Sequence, residues 1–261
     1  MFIFGLGYAA SHIARALATR EWEIISTGAA GSIAFDDAAS VRLGLASATH
    51  ILSSVPPVAD GDPVLDTYGR DIAVNAAAWR GYLSSTGVYG DAGGAWVDET
   101  APIKGRRANR NDADQAWLDL GARVFRLPGI YGPGRSALDR VIQGGAHRID
   151  LPDQVFSRIH VDDIASGVIA GLDGPSGAYN LSDDLPCHQN RIIEAACAML
   201  GVPLQPLQTM DEAGLSPMAR AFYAENRRVA NGKAKRILGW TPRHPTYREG
   251  LAACHAKGQA G

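Results

Sequence analysis

The chain predicts an α/β fold, a doubly wound parallel sheet with a small lobe toward its C-terminal end. Three observations carry that expectation. Short apolar runs alternate with segments of helical periodicity over the first half of the chain. The first run, Phe2 to Phe4, meets two glycines one residue apart, Gly5 and Gly7. Beyond Pro128 the alternation gives way to Gly- and Pro-rich turns and shorter elements.

Met1 to Leu17 reads as strand, tight turn and helix. In that arrangement Gly5 makes the turn, Gly7 lets a pyrophosphate approach the backbone, and Ala10 lets helix and strand pack closely. The unpaired N–H groups and positive dipole end of the helix then face the anion, with Tyr8 beside it. A secretory signal is disfavoured for the same stretch: no cationic segment precedes the apolar run, and Arg15 and Arg20 interrupt it.

Trp22 to Thr27 is expected as a second strand, ending about twenty residues after the glycine turn, where a ribose-reading residue belongs. Ser26, Thr27 and Gly28 stand there. Neither the acid that selects NAD nor the base that selects NADP is present, and Thr27 can bond a hydroxyl or a phosphate. Ser32 to Phe35 is expected as a third strand closing on Asp36 and Asp37, and His50 to Val55 as a fourth, ended by Pro56 and Pro57. A crossover helix follows from Pro63 to Ala78, then a strand from Arg80 to Ser84, a helix around Asp112 to Leu120, and a strand from Arg123 to Leu127. Later elements are a short helix near Ser136 to Ile142, a strand at Val155 to Ile159, and a helix at Ile164 to Leu172 capped by Asp162 or Asp163. A strand at Gly177 to Leu181 and helices at Arg191 to Leu200 and Lys233 to Leu238 complete the pattern. The implied division is 1–134 for a dinucleotide-binding domain, completed by about 155–175, with 135–154 and 176–261 forming the smaller substrate lobe.

Charge excludes some partners. Twenty-five basic side chains against 27 acidic ones leave no electrostatic surface for nucleic acid or membrane. No apolar run approaches the eighteen or so residues that span a bilayer. Cys187, Cys197 and Cys254 form no disulfide framework or metal-ligand pair, which points to the cytoplasm and to no metal. The expected partner is a small-molecule substrate, for a monomer or homodimer.

Six segments, FGLGYAASHIAR, LSSTGVYGD, RLPGIYGPG, FSRIHVDDIA, GAYNLSDDLP and RILGWTPRHPTYREGL, resemble in order the landmarks of the extended and atypical short-chain dehydrogenase/reductases, often labelled the NAD-dependent epimerase/dehydratase family. The resemblance implies a Rossmann domain with NAD or NADP across the carboxyl ends of its strands, and hydride transfer on a hydroxyl or carbonyl substrate. It implies that Ser85 holds the family's catalytic hydroxyl position and that Asp36 contacts the adenine. Ser54, Val55 and Pro56 would lie beside the adenosine ribose, and Pro128, Gly129 and Ile130 beside the nicotinamide amide. Thr86 and Gly87 replace the acids of the sugar-nucleotide dehydratases, and Gly129 replaces an Asn that holds substrate phosphate, so neither elimination nor a nucleotide-sugar substrate is favoured. The family's Tyr-x-x-x-Lys pair falls on Arg106 and Arg110. A guanidinium does not give up its proton, so Arg106 can polarise an oxyanion or anchor an acid but cannot act as the proton donor, while Arg110 can keep the Lys's bond to the nicotinamide ribose. Tyr89, Tyr131, Arg158 and Arg227 are the remaining candidates near substrate. His160 with Asp162 reads better as a helix start than as a catalytic pair. The alternative to an oxidoreductase or epimerase is a non-catalytic NAD(P)-binding sensor or regulatory protein.

Overall fold

The computed structural model describes residues 1–75 and 79–259. Six strands form one parallel sheet: β1 (Phe2–Phe4), β2 (Ile25–Ser26), β3 (His50–Ser53), β4 (Trp79–Ser85), β5 (Arg123–Leu127) and β6 (Gly177–Asn180), in the spatial order β6-β5-β4-β3-β1-β2. After β1 the chain pairs β2 on one side and then crosses to pair β3 on the other. That reversal splays the carboxyl ends of β1 and β3 and opens the crevice where ligands of such sheets bind.

Alternation along the strands fills both faces. Ile3, Leu52 and Phe125 meet α1 (Tyr8–Ala18) and α6 (Val161–Ala170) through Ala10, Ile13, Leu17, Ile164 and Val168. Phe2, Phe4, Ile51, Tyr82 and Val124 meet α2 (Ala38–Ser47), α3 (Pro63–Val74) and α4 (Ala108–Asp119) through Val41, Leu45, Val64, Tyr68 and Trp117. Trp117 stacks on Tyr82 with ring centroids 5.4 Å apart and donates its indole N–H to Asp62 at 2.8 Å. The same carboxylate takes the Val64 and Leu65 N–H groups and so caps α3. A third apolar cluster joins α5 (Ala137–Ile142), α7 (Gln189–Leu200) and α10 (Tyr247–Gln259) through Leu138, Ile192, Ala196 and Leu251. The short helices α8 (Pro217–Phe222) and α9 (Gly232–Leu238) complete the helical set. No helix among the described residues is long and apolar enough to cross a membrane.

Several boundaries differ from the sequence reading. The expected strand at Ser32 to Phe35 is a single bridge, Ile33 to Thr27. Helix α2 occupies residues for which the sequence reading gave no element, started by the Asp37 carboxylate accepting the Ser40 N–H. The crossover helix stops at Val74; the expected extension through residues 76–78 lies outside the described residues. Helix α6 is capped by His160, whose Nδ1 accepts the Asp162 N–H, so Asp162 and Asp163 lie in its first turn. Residues 177–180, assigned by sequence to the smaller lobe, are an edge strand of the central sheet, because they pair with β5 in register from Gly177 and Arg123 to Asn180 and Arg126.

Candidate cofactor and active site

The glycine turn is held by its neighbours. Gly5 has φ +79°, a left-handed conformation that glycine adopts without strain. Its N–H donates to Thr27 Oγ1 at 3.2 Å, the Leu6 N–H donates to the Thr27 carbonyl at 2.7 Å, and the Ser54 hydroxyl donates to the Gly5 carbonyl. A Cβ on Gly5 would sit 2.8 Å from Val55 Cγ2. A Cβ on Gly7 would meet nothing within 4 Å. Gly7 begins α1 without a side-chain cap, so the first N–H groups of that helix face open space. These features form an anion cradle of the kind a pyrophosphate fits.

The cradle opens into a cleft of about 610 Å³ at the carboxyl ends of the strands. Gly7, Tyr8, Ser54, Pro56, Ser85, Arg106, Arg110, Pro128, Gly129, Ile130 and Arg227 line the cleft. Ser85 Oγ accepts the Gly87 N–H at 3.1 Å, which leaves its own proton available to donate. Arg110 is half-buried, and desolvation pushes its pKa down. Neither Arg110 nor its neighbours Arg107 and Arg135 has a carboxylate within 4.0 Å among the described residues, so three guanidinium groups on the cleft lack an acidic partner.

Some expected residues lie elsewhere. Arg106 is turned to the rim: its Nε donates to Glu225 at 3.0 Å and its Nη2 to the Ala221 carbonyl at 2.8 Å. Glu225 also pairs with Arg227 at 2.7 Å, and Arg227 donates to the Gly90 carbonyl. The two arginines therefore tie the chain after α8 to the loop following β4. Thr27 is buried and its hydroxyl braces Gly5, which corrects the expectation of a ribose contact. Asp36 is exposed and off the cleft, in the turn before α2. Tyr89 does not line the cleft: its hydroxyl donates to Asn180 at 2.7 Å and accepts from Arg126 at 3.0 Å in the interior. Tyr131 packs its ring edge-on to His160 and its hydroxyl against Gly250. Arg158 is buried and donates to the Phe156 and Cys187 carbonyls and to Gln189. Arg107, Arg135, Phe156, Phe222 and Glu225 line the cleft without having been picked from sequence. Arg107 had a signal, adjacency to Arg106; Phe222 and Glu225, more than a hundred positions away, had none.

Two buried groups outside the cleft carry a pH dependence. The Asp183 carboxyl has an unpartnered Oδ2, and burial raises its pKa from 3.8 to about 7, with the Arg158 guanidinium opposing the rise. Its folded pKa is above its unfolded one, so stability from this group is full below about pH 4 and falls as pH rises toward 7. His160 runs the other way: burial lowers its pKa from 6.5 to about 4, so its contribution rises with pH between those values. Asp183→Asn is expected to remove the falling component. Thermal unfolding from pH 4 to 8 should then show the variant gaining stability relative to wild type by a few kcal/mol at pH 8, with the gain absent at pH 4. A constant difference across that range would contradict the assignment. His160, Asp163 and His244 also lie together, yet the Asp163 carboxylate is already taken by the Arg243 and His244 N–H groups and by His244 Nδ1 at 2.9 Å. They tie the segment before α10 to α6.

Comparison with known proteins agrees with this architecture. No protein-family model matches the chain. The "3-diazoavenalumate denitrifying reductase" of a Streptomyces species is 32% identical over 151 residues, which cover 52% of this chain and 48% of that protein, about half of each. A functionally unknown conserved protein from Silicibacter pomeroyi is 43% identical with a TM-score of 0.88, covering 98% of both chains. The human epimerase family protein SDR39U1, solved with NADPH, is 16% identical with a TM-score of 0.73, covering 98% of this chain and 99% of that one. In fold, the chain has the Rossmann architecture of solved proteins of the epimerase/dehydratase type. Within that class it belongs to the same family as the Silicibacter pomeroyi protein.

Proposed function

We propose that the chain binds NAD or NADP across the β1 and β3 ends and transfers hydride between the nicotinamide and a small anionic substrate. The observation that carries this reading is the open cradle at Gly7 facing the same cleft as Ser85 and Arg110. Solved proteins of this fold that hold NAD or NADPH support it. The cofactor supplies the hydride or takes it up. Gly7 and the first turn of α1 hold the pyrophosphate, and Arg110 bonds the nicotinamide ribose from the position of the family's Lys. The Ser85 hydroxyl donates a hydrogen bond to a substrate oxygen while keeping its proton, and Pro128, Gly129 and Ile130 wall the nicotinamide amide. The smaller lobe supplies the opposite wall, since Ala221, Phe222, Glu225 and Arg227 reach the cleft.

Titration of NADH and NADPH, followed by nicotinamide fluorescence, tests the binding. Arg110→Gln is expected to weaken it about tenfold or more, the effect of losing a hydrogen bond from a charged donor. Unchanged affinity would remove Arg110 from the site. A panel of aldehydes, ketones and sugar acids separates an oxidoreductase from a non-catalytic sensor: bound NAD(P)H that no substrate consumes favours the sensor.

A further inference from the structure

We propose that the substrate is an aromatic carboxylate bearing a diazonium group, which accepts hydride and loses dinitrogen without taking a proton from the protein. The proposal rests on the cofactor reading above.

Its first support is the chemistry the cleft lacks. No His, Cys or Lys is among the described residues that line it. Tyr8 donates to the Pro133 carbonyl at 3.0 Å, and burial holds its phenol up at about 12. The Ser54 hydroxyl donates to the Gly5 carbonyl and that of Ser84 to Asp114. Glu225, the one carboxylate on the cleft among the described residues, is taken up by ion pairs with Arg106 and Arg227. Arg106 stands at the position of the family's Tyr and points to the rim. Carbonyl reduction forms an alkoxide that must be protonated, and a positioned acid contributes about 10²–10⁴-fold to such a step. A diazonium ion makes no such demand. Hydride forms the new C–H bond, the C–N bond breaks with its electron pair leaving on dinitrogen, and Ar–N₂⁺ plus NAD(P)H becomes Ar–H, N₂ and NAD(P)⁺. Atoms and charge balance with no proton on either side.

The remaining lining fits the other two parts of such a molecule. Phe156 and Phe222 stack on the cleft, ring centroids 4.6 Å apart and ring planes 6° from parallel, with Phe222 half exposed. They offer a flat apolar face for an aryl ring. Arg107, Arg110 and Arg135 lack acidic partners, so the cleft retains guanidinium charge for a carboxylate beyond what a pyrophosphate and ribose require. The Streptomyces relative, whose name describes reductive loss of nitrogen from a diazo carboxylate, matches over about half its length.

The test compares two probes that share ring and carboxylate, 4-carboxybenzenediazonium and 4-carboxybenzaldehyde. Both are offered with whichever of NADH or NADPH binds, deuterated at C4, between pH 5.5 and 7.5. The expected result is one NAD(P)H consumed per N₂ released, with deuterium at the vacated ring position of benzoate. The rate should be flat with pH, and kcat/KM at least about 100-fold above that for the aldehyde, the weight of a missing acid. The Gly7→Val protein is the control for azo coupling to surface side chains. Aldehyde reduction as fast as diazonium reduction, or benzoate no faster than in the control, overturns the proposal while leaving cofactor binding intact. Failure of wild type to bind either nucleotide overturns both readings together and is seen before any substrate is added.

Discussion

Gly7→Val is expected to weaken NADH or NADPH binding about 10- to 100-fold while leaving thermal unfolding nearly unchanged. Gly7 has φ −86°, which any residue adopts, and its Cβ direction is empty to 4 Å, so valine strains nothing in the folded chain. Its methyl groups instead fill the space in front of the α1 N-terminus. Forcing an anion past them costs about 1–3 kcal/mol by the measure of overpacked sites, and each 1.4 kcal/mol is tenfold in affinity. Gly5→Val has the opposite signature. There the side chain meets Val55 at 2.8 Å and the backbone is left-handed, so folding itself suffers. Calorimetric titration and thermal scans on the two variants separate a binding glycine from a folding one. Loss of stability in Gly7→Val, or full affinity, would contradict the placement.

The largest effect on stability is expected at Asp114. Its carboxylate pairs with the Arg126 guanidinium at 2.6 Å, with both side chains 3% exposed or less, and also accepts the Ser84 hydroxyl at 2.6 Å. Arg126 spends another N–H on Tyr89. Asp114 lies one turn beyond Arg110 on α4, so the pair fixes the helix that carries the cofactor candidate onto β4 and β5. Asp114→Ala leaves a guanidinium buried without its counter-ion, which costs about 3–5 kcal/mol. For a chain of this size that lowers Tm by about 10 °C. The double variant Asp114→Leu with Arg126→Met is expected to recover most of the loss, because two apolar groups leave no unpaired charge. Circular dichroism melts measure both. A single variant as stable as wild type would show that α4 is held by apolar packing alone.

The parts of the molecule legible in sequence are those where a local rule and the tertiary structure agree. Phe2 to Phe4 followed by Gly5 and Gly7 could be read because the turn, the close approach and the helix start each demand their own residue type. Strand β5 was read with its observed bounds because Arg123 to Leu127 is an apolar run closed by Pro128. Helix α2 was invisible because a glycine sits inside it: Gly44 is there since a Cβ would fall 2.6 Å from the Phe2 ring, a contact that no local pattern announces. The cap of α6 was misplaced by two or three residues because Asp162 and Asp163 are better caps by type, yet His160 is the residue buried at the bend. In the cleft, the Arg106 and Arg110 positions were legible from spacing, but the direction of Arg106 depends on Glu225, 119 residues away. Tyr89, Tyr131 and Arg158 are attractive types in suggestive motifs, and each is consumed by interior contacts that only the folded chain shows.

The most direct test of the central claim is a crystal structure with NADH or NADPH at millimolar concentration. The expected result is the pyrophosphate against the N–H groups of the first turn of α1, the nicotinamide ribose at Arg110, and the nicotinamide between Ser85 and the segment Pro128 to Ile130. Nucleotide bound elsewhere, or a cleft that stays empty at saturating concentration, would contradict it.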